Sequence, residues 1–294
     1  MAARRLSEAG VASPDADAVA LAAHVLGVPA AEVRRLMVLD ADLCDVGAGS
    51  GAVVAGAQGF AAAYHDLVGE RRRRVPLQHL TGRAPFRYLE LQVGPGVFVP
   101  RPETELAAGL AIEAAAAVVS VEGRAPRVVD LCCGSGAIAL SAKAEAPNAW
   151  VYGVELSELA LAWAVRNRDI LGLDVDLRLG DATTAFQDLV GEVDVVVSNP
   201  PYIPLGAVPN DPEVRDHDPE VALYGGSADG LAIPVAVAAR AAVLLRPGGV
   251  LVMEHADVQG AALTAALRRA GQWDGIRDHR DLAGLPRAVT ARRR

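Results

Sequence analysis

The apolar run Val193-Asp194-Val195-Val196-Val197-Ser198 stops at Asn199-Pro200-Pro201-Tyr202, and few folds accommodate that pair of segments. A run this apolar reads as a strand buried on both faces, the kind found inside parallel sheets. Ligands of open α/β sheets lie outside the carboxyl ends of such strands. Two prolines fix φ near −65° and remove two N–H donors, and Asn199 ahead of them is pushed out of the helical region. The result is a stiff turn with many acceptors and few donors, the Asn199 side-chain oxygen and nearby carbonyls among them. Such a turn suits a planar amino group, either an amide NH2 or the exocyclic amine of a base. A plain strand-ending turn would explain Pro-Pro by itself, so the neighbouring segments decide.

From residue 127 onward, short apolar runs alternate with helical spacing. Strands are expected at 127–131, 150–155, 175–179, 193–198 and 249–254, and a closing pair near 273–279 and 286–291. Helices are expected at 136–146, 158–171, 229–245 and 258–270. That order implies an α/β fold with a doubly wound, mostly parallel seven-stranded sheet. Glu103 and Glu105 supply the acidic first turn of a further helix, reaching about Val119. Residues 1–84 are Ala-rich and read as a helical domain. One helix starts at Ser13-Pro14 and ends at Gly27, a second runs near 30–39, and a third near 52–74 after a glycine break at 47–51. Residues 85–100 read as a β-hairpin linker with Gly94-Pro95-Gly96 as its turn, which leaves 101–294 as the larger domain. The loop 203–228 is longer than most connections in a compact domain and reads as a cover over the site.

Composition narrows the setting. The chain of 294 residues is 52% hydrophobic, enough for a full core, and no apolar run approaches the roughly 20 residues of a membrane span. Arg4 and Arg5 are followed by Glu8, Asp15 and Asp17, not by the apolar stretch of a signal peptide. Three cysteines, of which Cys132 and Cys133 are adjacent, make no disulfide framework. A soluble, cytoplasmic protein is expected. Residues 1–90 balance ten arginines against ten acids, and the remainder carries 18 basic against 26 acidic groups. Nucleic-acid enzymes need a basic stripe to meet phosphates. The dense basic runs at 71–74 and 292–294 read as a solvated helix face and a frayed tail, so no stable nucleic-acid binding is expected.

The strand at 127–131 runs into Cys132-Cys133-Gly134-Ser135-Gly136 and then a helix. Glycines there let the backbone approach a ligand and adopt positive φ. Gly134-Ser135-Gly136-Ala137-Ile138-Ala139 also fits the loose dinucleotide pattern G-x-G-x-x-A, so a nicotinamide cofactor has to be considered. Asp130, ahead of the glycines, is placed to meet a cationic ligand instead. Glu155 ends the next strand, 19 residues past Gly136, where a carboxylate accepts ribose hydroxyls. Asp181, followed by Ala182, sits just past the third strand, where it would accept from an adenine amino group. Each acid by itself reads as a turn residue or cap. Three at successive strand ends make a nucleoside pocket, and with Asn-Pro-Pro-Tyr the set points to S-adenosylmethionine.

Three motifs carry a family resemblance: Asp130-Leu131-Cys132-Cys133-Gly134-Ser135-Gly136, Val197-Ser198-Asn199-Pro200-Pro201-Tyr202-Ile203 and Val99-Pro100-Arg101-Pro102-Glu103-Thr104-Glu105. Together they resemble the HemK/PrmC family, the N5-glutamine methyltransferases of class I peptide-chain release factors. Pro76–Gly82, Val214–Leu223 and Met253-Glu254-His255 support it, and the likeness in motifs covers residues 75–294.

The resemblance implies a small helical N-terminal domain that recognises substrate, a hairpin linker and a Rossmann-like methyltransferase domain. It implies S-adenosylmethionine as donor, no metal, and a release factor as partner of a monomeric enzyme. Asp130, Cys132, Cys133, Gly134, Ser135, Gly136, Glu155, Asp181, Ala182 and Asn199 are then expected at the donor, and Asn199, Pro200, Pro201 and Tyr202 at the acceptor. The Asn199 oxygen and the Pro200 carbonyl would hold the glutamine NH2, with Tyr202 packed over it. Cys132 stands where the family has glycine, which weakens any claim that this position needs positive φ. The thiol at Cys132 reads as a small buried hydrophobe in preference to a redox switch. The alternatives are an adenine-N6 methyltransferase and a donor-binding adaptor without catalysis.

Overall fold

The computed structural model describes residues 1–40 and 56–294; the expected glycine break, the start of the third helix and Cys44 lie outside them. The described chain opens with α1 (Ala2–Glu8), α2 (Pro14–Leu26), α3 (Ala30–Leu39), α4 (Gly56–Arg72) and α5 (Leu77–Thr81). A hairpin of β1 (Arg83–Phe86) and β2 (Leu89–Gln92) follows. Next come α6 (Thr104–Glu122), β3 (Arg127–Leu131), α7 (Ala137–Glu145), β4 (Trp150–Glu155), α8 (Glu158–Leu171) and β5 (Val175–Leu179). The chain continues through β6 (Val193–Ser198), α9 (Pro212–His217), α10 (Ala232–Leu244) and β7 (Leu245–Glu254). It ends with α11 (Gly260–Ala270), β8 (Trp273–Arg280) and β9 (Pro286–Arg293).

Contacts divide it into two compact units, residues 1–83 with 209–217, and residues 84–208 with 218–294. In the smaller unit, Pro14 takes the first turn of α2 and Gly27, at φ 66°, closes it. Leu6, Val11, Leu21 and Val68 form its core. Part of the long loop belongs here too, because α9 brings in Glu213. Arg71 Nε donates to Asp17 Oδ2 at 2.7 Å and its Nη1 to Glu213 Oε1 at 2.6 Å, while Arg74 Nε donates to the same Glu213 oxygen at 2.7 Å. Arg71 and Glu213 are 7% and 6% exposed. The basic run at 71–74 is therefore not the solvated face its composition suggests. Arg72 and Arg73 are exposed, but the other two close a buried ion cluster.

The larger unit is built on a seven-stranded sheet of order β5-β4-β3-β6-β7-β9-β8, with β3 to β7 parallel and β9 antiparallel to both neighbours. Alternation along the strands explains the layers. Val128, Val195 and Val197 face the core that includes Ala107, Ala108 and Ala111 of α6 and Ile138 and Leu140 of α7. Val129, Val196 and Leu251 face the other core, with Val237 and Ala241 of α10 and Leu263 and Leu267 of α11. Among the described single helices only α6 is long and apolar enough to cross a membrane. A search for uninterrupted apolar runs overlooks it because Glu113 and Ser120 punctuate it. Its small-residue face is spent on the sheet.

The hairpin and the C-terminus differ from what the sequence suggests. The hairpin turns at Arg87-Tyr88, with Arg87 at φ 51°, and residues 97–99 form no strand. Gly94 instead lies under Trp163, where a Cβ would stand 2.6 Å from the indole. The basic C-terminus is not frayed, since Arg292 and Arg293 continue β9 and Arg293 Nε donates to Ala242 O at 2.7 Å.

Candidate active site

The sheet changes direction between β3 and β6: the chain moves outward from β3 to β4 and β5, then returns to place β6 on the other side. A crevice forms at the carboxyl ends of strands at such a point. The glycine turn after β3 and the Asn-Pro-Pro-Tyr turn after β6 stand on its two sides, and the Ser198 hydroxyl donates to Leu131 O across the strand ends.

The glycine turn is held from three directions. Cys132 and Cys133 N–H both donate to Val154 O, at 3.1 and 2.9 Å. Gly134 N–H donates to Glu155 Oε2 at 2.8 Å, and the other oxygen of Glu155 accepts from Ser157 N–H at 2.9 Å. Asn167, 1% exposed, donates through Nδ2 to Ser135 O at 3.0 Å and to Gln92 O at 2.9 Å, which ties the turn to β2. Gly134 has φ 55°, and a Cβ there would meet nothing within 4 Å, so its backbone borders open space. Cys132 has φ 74°. The need for positive φ, which the cysteine weakens on sequence alone, is restored at this position: the turn imposes a left-handed backbone on a residue with a Cβ. Burial raises the pKa of both thiols, most plainly at Cys133, which keeps them protonated and unreactive.

The acids are placed unequally. Asp130 is fully buried, accepts from Ala139 N–H at 3.1 Å through Oδ2, and leaves Oδ1 without a partner. Burial pushes its pKa up to about 8, and nearby Glu155 adds to the rise. Glu155 is half-buried at the strand end. Asp181 is exposed and its Oδ1 accepts from Thr183 N–H and Oγ1 at 2.8 and 2.7 Å, a capped turn that leaves Oδ2 uncommitted. Ala182 is buried beside it.

On the other side, Pro200 and Pro201 are buried and Asn199 and Tyr202 half-buried. Asn199 Nδ2 donates to Thr104 Oγ1 at 3.2 Å, which occupies a donor of that amide. Tyr202 Oη donates to Glu254 Oε1 at 3.3 Å, and Gln259 Nε2 donates to both Tyr202 O and Asp229 O at 2.8 Å. The returning half of the long loop is stitched to the turn as well: Ile203 N–H donates to Leu223 O at 2.8 Å and Gly225 N–H to Ile203 O at 2.9 Å. Arg101 Nη2 anchors that return by donating to the buried Asp218 at 2.7 Å.

A family model described as "Methyltransferase small domain" matches residues 95–208. A release factor glutamine methyltransferase of Streptomyces coelicolor is 52% identical over 293 residues, covering 99% of this chain and 95% of that protein. This chain belongs to the release factor glutamine methyltransferase family. A Bifidobacterium longum protein of the same name is 43% identical over 280 residues, covering 92% and 90%. A Streptomyces pristinaespiralis relative is named 4-amino-L-phenylalanine/4-methylamino-L-phenylalanine methyltransferase; it is 43% identical over 210 residues, 71% of each chain.

Within this release factor glutamine methyltransferase relative, sequence reading brought the glycine turn, Glu155 and Asn-Pro-Pro-Tyr to one end of one sheet. It missed Thr104, Glu254 and Gln259 as residues that support the turn. Glu254 was within reach of the strand-end rule, since it ends β7, the neighbour of β6. Thr104 and Gln259 act through tertiary contacts that no local pattern announces.

Proposed function

We propose that this chain transfers a methyl group from S-adenosylmethionine to the side-chain amide nitrogen of the glutamine in the Gly-Gly-Gln segment of class I peptide-chain release factors. The observation that carries this reading is the Asn199 amide. Its NH2 is engaged by Thr104, so its oxygen is the atom available to accept from an incoming NH2. The near full-length likeness to proteins named for this reaction supports the substrate.

The residues present suit the donor. Gly134 borders open space, Glu155 carries lone pairs for ribose hydroxyls, Asp181 keeps one oxygen for an adenine amine, and Asp130 Oδ1 is a buried acceptor without a partner. Cys132, Cys133, Ser135, Gly136 and Ala182 shape the walls. S-adenosylmethionine supplies a sulfonium methyl: its S–C bond breaks as the N–C bond forms, and the amide gives one proton to water.

The protein's contribution is to the nucleophile, whose lone pair is delocalised into the carbonyl. The Asn199 oxygen and the Pro200 carbonyl accept from the NH2 protons, and both bonds strengthen as the nitrogen turns cationic. Pro201 stiffens the turn and Tyr202 packs over the amide. Fixing the two reactants in line supplies much of the remainder. The N-terminal helices, residues 1–84, are the part assigned to recognising the folded release factor, by a monomer acting in the cytoplasm.

The test is transfer of labelled methyl to purified release factor, with RNA, DNA and 4-amino-L-phenylalanine as competing acceptors. Label on the release factor glutamine is expected. Label on nucleic acid or on the aryl amine alone would assign the turn to those amines instead. A bound donor with no turnover on any of them would leave a binding adaptor.

A further inference from the structure

We infer that Glu254 is a positioning residue for methyl transfer: through the Thr104 hydroxyl and the Tyr202 hydroxyl it fixes which way the Asn199 amide faces and where Tyr202 sits. The inference deepens the methyl-transfer reading and rests on it.

Thr104 Oγ1 carries one hydrogen and two lone pairs. It accepts from Asn199 Nδ2 at 3.2 Å, so its own hydrogen has to point elsewhere. The Glu254 carboxyl accepts from Tyr202 Oη at 3.3 Å, and its Oε2 is buried without a hydrogen-bond partner; the Thr104 hydroxyl is near enough to lower the carboxyl's pKa. A vacant carboxylate oxygen there draws the Thr104 hydrogen toward Glu254 and leaves only a lone pair for Asn199. Asn199 must then offer its NH2 to Thr104 and its oxygen to the acceptor crevice. If Glu254 were a donor toward Thr104, the hydroxyl hydrogen could swing to Asn199 and the amide would turn round. The glutamine NH2 would then meet another NH2.

The carboxyl is 2% exposed and Thr104 4%, so the relay works in a dry environment where such bonds are strong. Burial pushes the acid up to about 7, with the Thr104 hydroxyl, Arg287 and the Tyr202 hydroxyl pulling it down and Glu103 pushing it up. Arg287, on β9, is itself paired with Asp281, and His255, next along the chain, turns to Asp278. The acid thus changes charge near neutrality, and only its ionised form is solely an acceptor.

Three variants and one spectroscopic signal test this. Glu254→Gln keeps the shape but replaces one oxygen by a donor. It should lower kcat by about ten- to a hundredfold, the scale of a misoriented reactant, with donor affinity within about twofold of the parent. In the parent, kcat should rise with pH through about 7, and Glu254→Gln should lack that step. Thr104→Ser should retain kcat while Thr104→Val falls like Glu254→Gln; this pair decides the matter if the Glu254 variant does not fold. Independently of any acceptor, the Asn199 side-chain 15N–1H2 signal, assigned by its loss in Asn199→Asp, should shift with a midpoint near 7 in the parent and not in Glu254→Gln. Normal kcat and an unchanged pH profile in Glu254→Gln, with no such shift in the parent, would overturn the inference while leaving the methyl-transfer reading intact. A shift as described, without label on release factor, would overturn that reading and leave the orientation of Asn199 standing.

Discussion

Gly230 lies against the carbonyl of Tyr202 so closely that a Cβ on it would stand 2.0 Å from that oxygen. The same carbonyl accepts from Gln259 Nε2 at 2.8 Å. The last residue of the acceptor turn is therefore seated against bare backbone, and a side chain at 230 would have to displace it.

Gly230→Ala and Gly248→Ala separate that displacement from ordinary backbone strain. Both glycines have positive φ, 73° and 83°, but a Cβ at Gly248 meets nothing within 4 Å. Each variant should lose about 1 kcal/mol or more for the left-handed backbone. Only Gly230→Ala should also lose methyl transfer, by about tenfold or more, because Tyr202 moves. Urea unfolding and turnover of the two proteins measure the difference. Equal turnover would mean that the Tyr202 seat does not matter.

Glu213 is the hub of the ion cluster in the smaller unit, and Glu213→Ala leaves the nearly buried Arg71 with the Asp17 carboxylate and the Val75 carbonyl as partners. Breaking a buried pair from one side costs about 3–5 kcal/mol, so a large drop in the urea midpoint is expected. Hydrogen bonds from Arg74 and Arg71 hold the Glu213 carboxyl below its usual range against the cost of burial. Its folded pKa is depressed, so its stabilisation is present above the unfolded value of about 4.3 and lost as pH falls below it. Glu213→Gln should flatten that acid limb. An unchanged midpoint for Glu213→Ala would show the cluster to be energetically idle.

Asp130 predicts a pH dependence of opposite sign. Its pKa is raised to about 8 by burial, against about 3.9 in the unfolded chain. Between those values the folded protein keeps a proton that the unfolded chain has released. Stability without donor should therefore fall as pH rises from about 4 to 8, and Asp130→Asn should lessen the fall. A cationic donor favours the ionised acid. Binding below pH 8 should release a proton, and affinity should rise with pH up to about 8. Calorimetry in buffers of different ionisation enthalpy counts that proton. No proton release would remove Asp130 from contact with the donor's charge.

At Cys132 the backbone and the side chain make opposite demands. The φ of 74° favours glycine, and the half-buried thiol packs against the core. Cys132→Gly relieves roughly 1–2 kcal/mol of left-handed strain and gives back about as much in burial and chain entropy, so stability should change little. Cys132→Val fills the thiol's space but puts a β-branched residue at positive φ. It should be the worse variant by about 2 kcal/mol in thermal or urea unfolding. Val at or above Gly would mean that packing, not φ, rules this position.

Strands β3 to β6 were legible because each is a short run, apolar or, at β5, alternating, that ends near glycine, an acid or Asn-Pro. The hairpin turn was not, because Arg87-Tyr88 carries none of the residues that mark turns, whereas Gly94-Pro95-Gly96 carries glycine and proline, and Trp163 and Leu159 press on its two glycines. The ion cluster joins Arg71 to Glu213 across 142 positions, and no periodicity spans that distance. The acceptor turn itself was visible from its prolines. Its supports were not: Thr104 lies 95 positions from Asn199 and Glu254 lies 52 from Tyr202, and only the folded sheet brings them together.

The acceptor turn yields the most direct test. Asn199→Ala should leave donor affinity nearly intact, because the glycine turn and Glu155 are held by bonds that do not involve Asn199. Turnover should fall by about a hundredfold or more, the scale on which one pre-organised polar contact to a transition state acts. Asn199→Asp keeps an acceptor of the same shape but cannot donate to Thr104, so the hydroxyl of Thr104 would turn from Glu254 to the new carboxylate. The negative charge favours a nitrogen becoming cationic, yet it also attracts water and the sulfonium. Activity between that of Ala and the parent is expected. Single-turnover rates at saturating donor and release factor separate these effects from binding. If Asn199→Ala turns over at the parental rate under those conditions, Asn199 is a turn residue only, and the amide must be held by the Pro200 carbonyl and its neighbours.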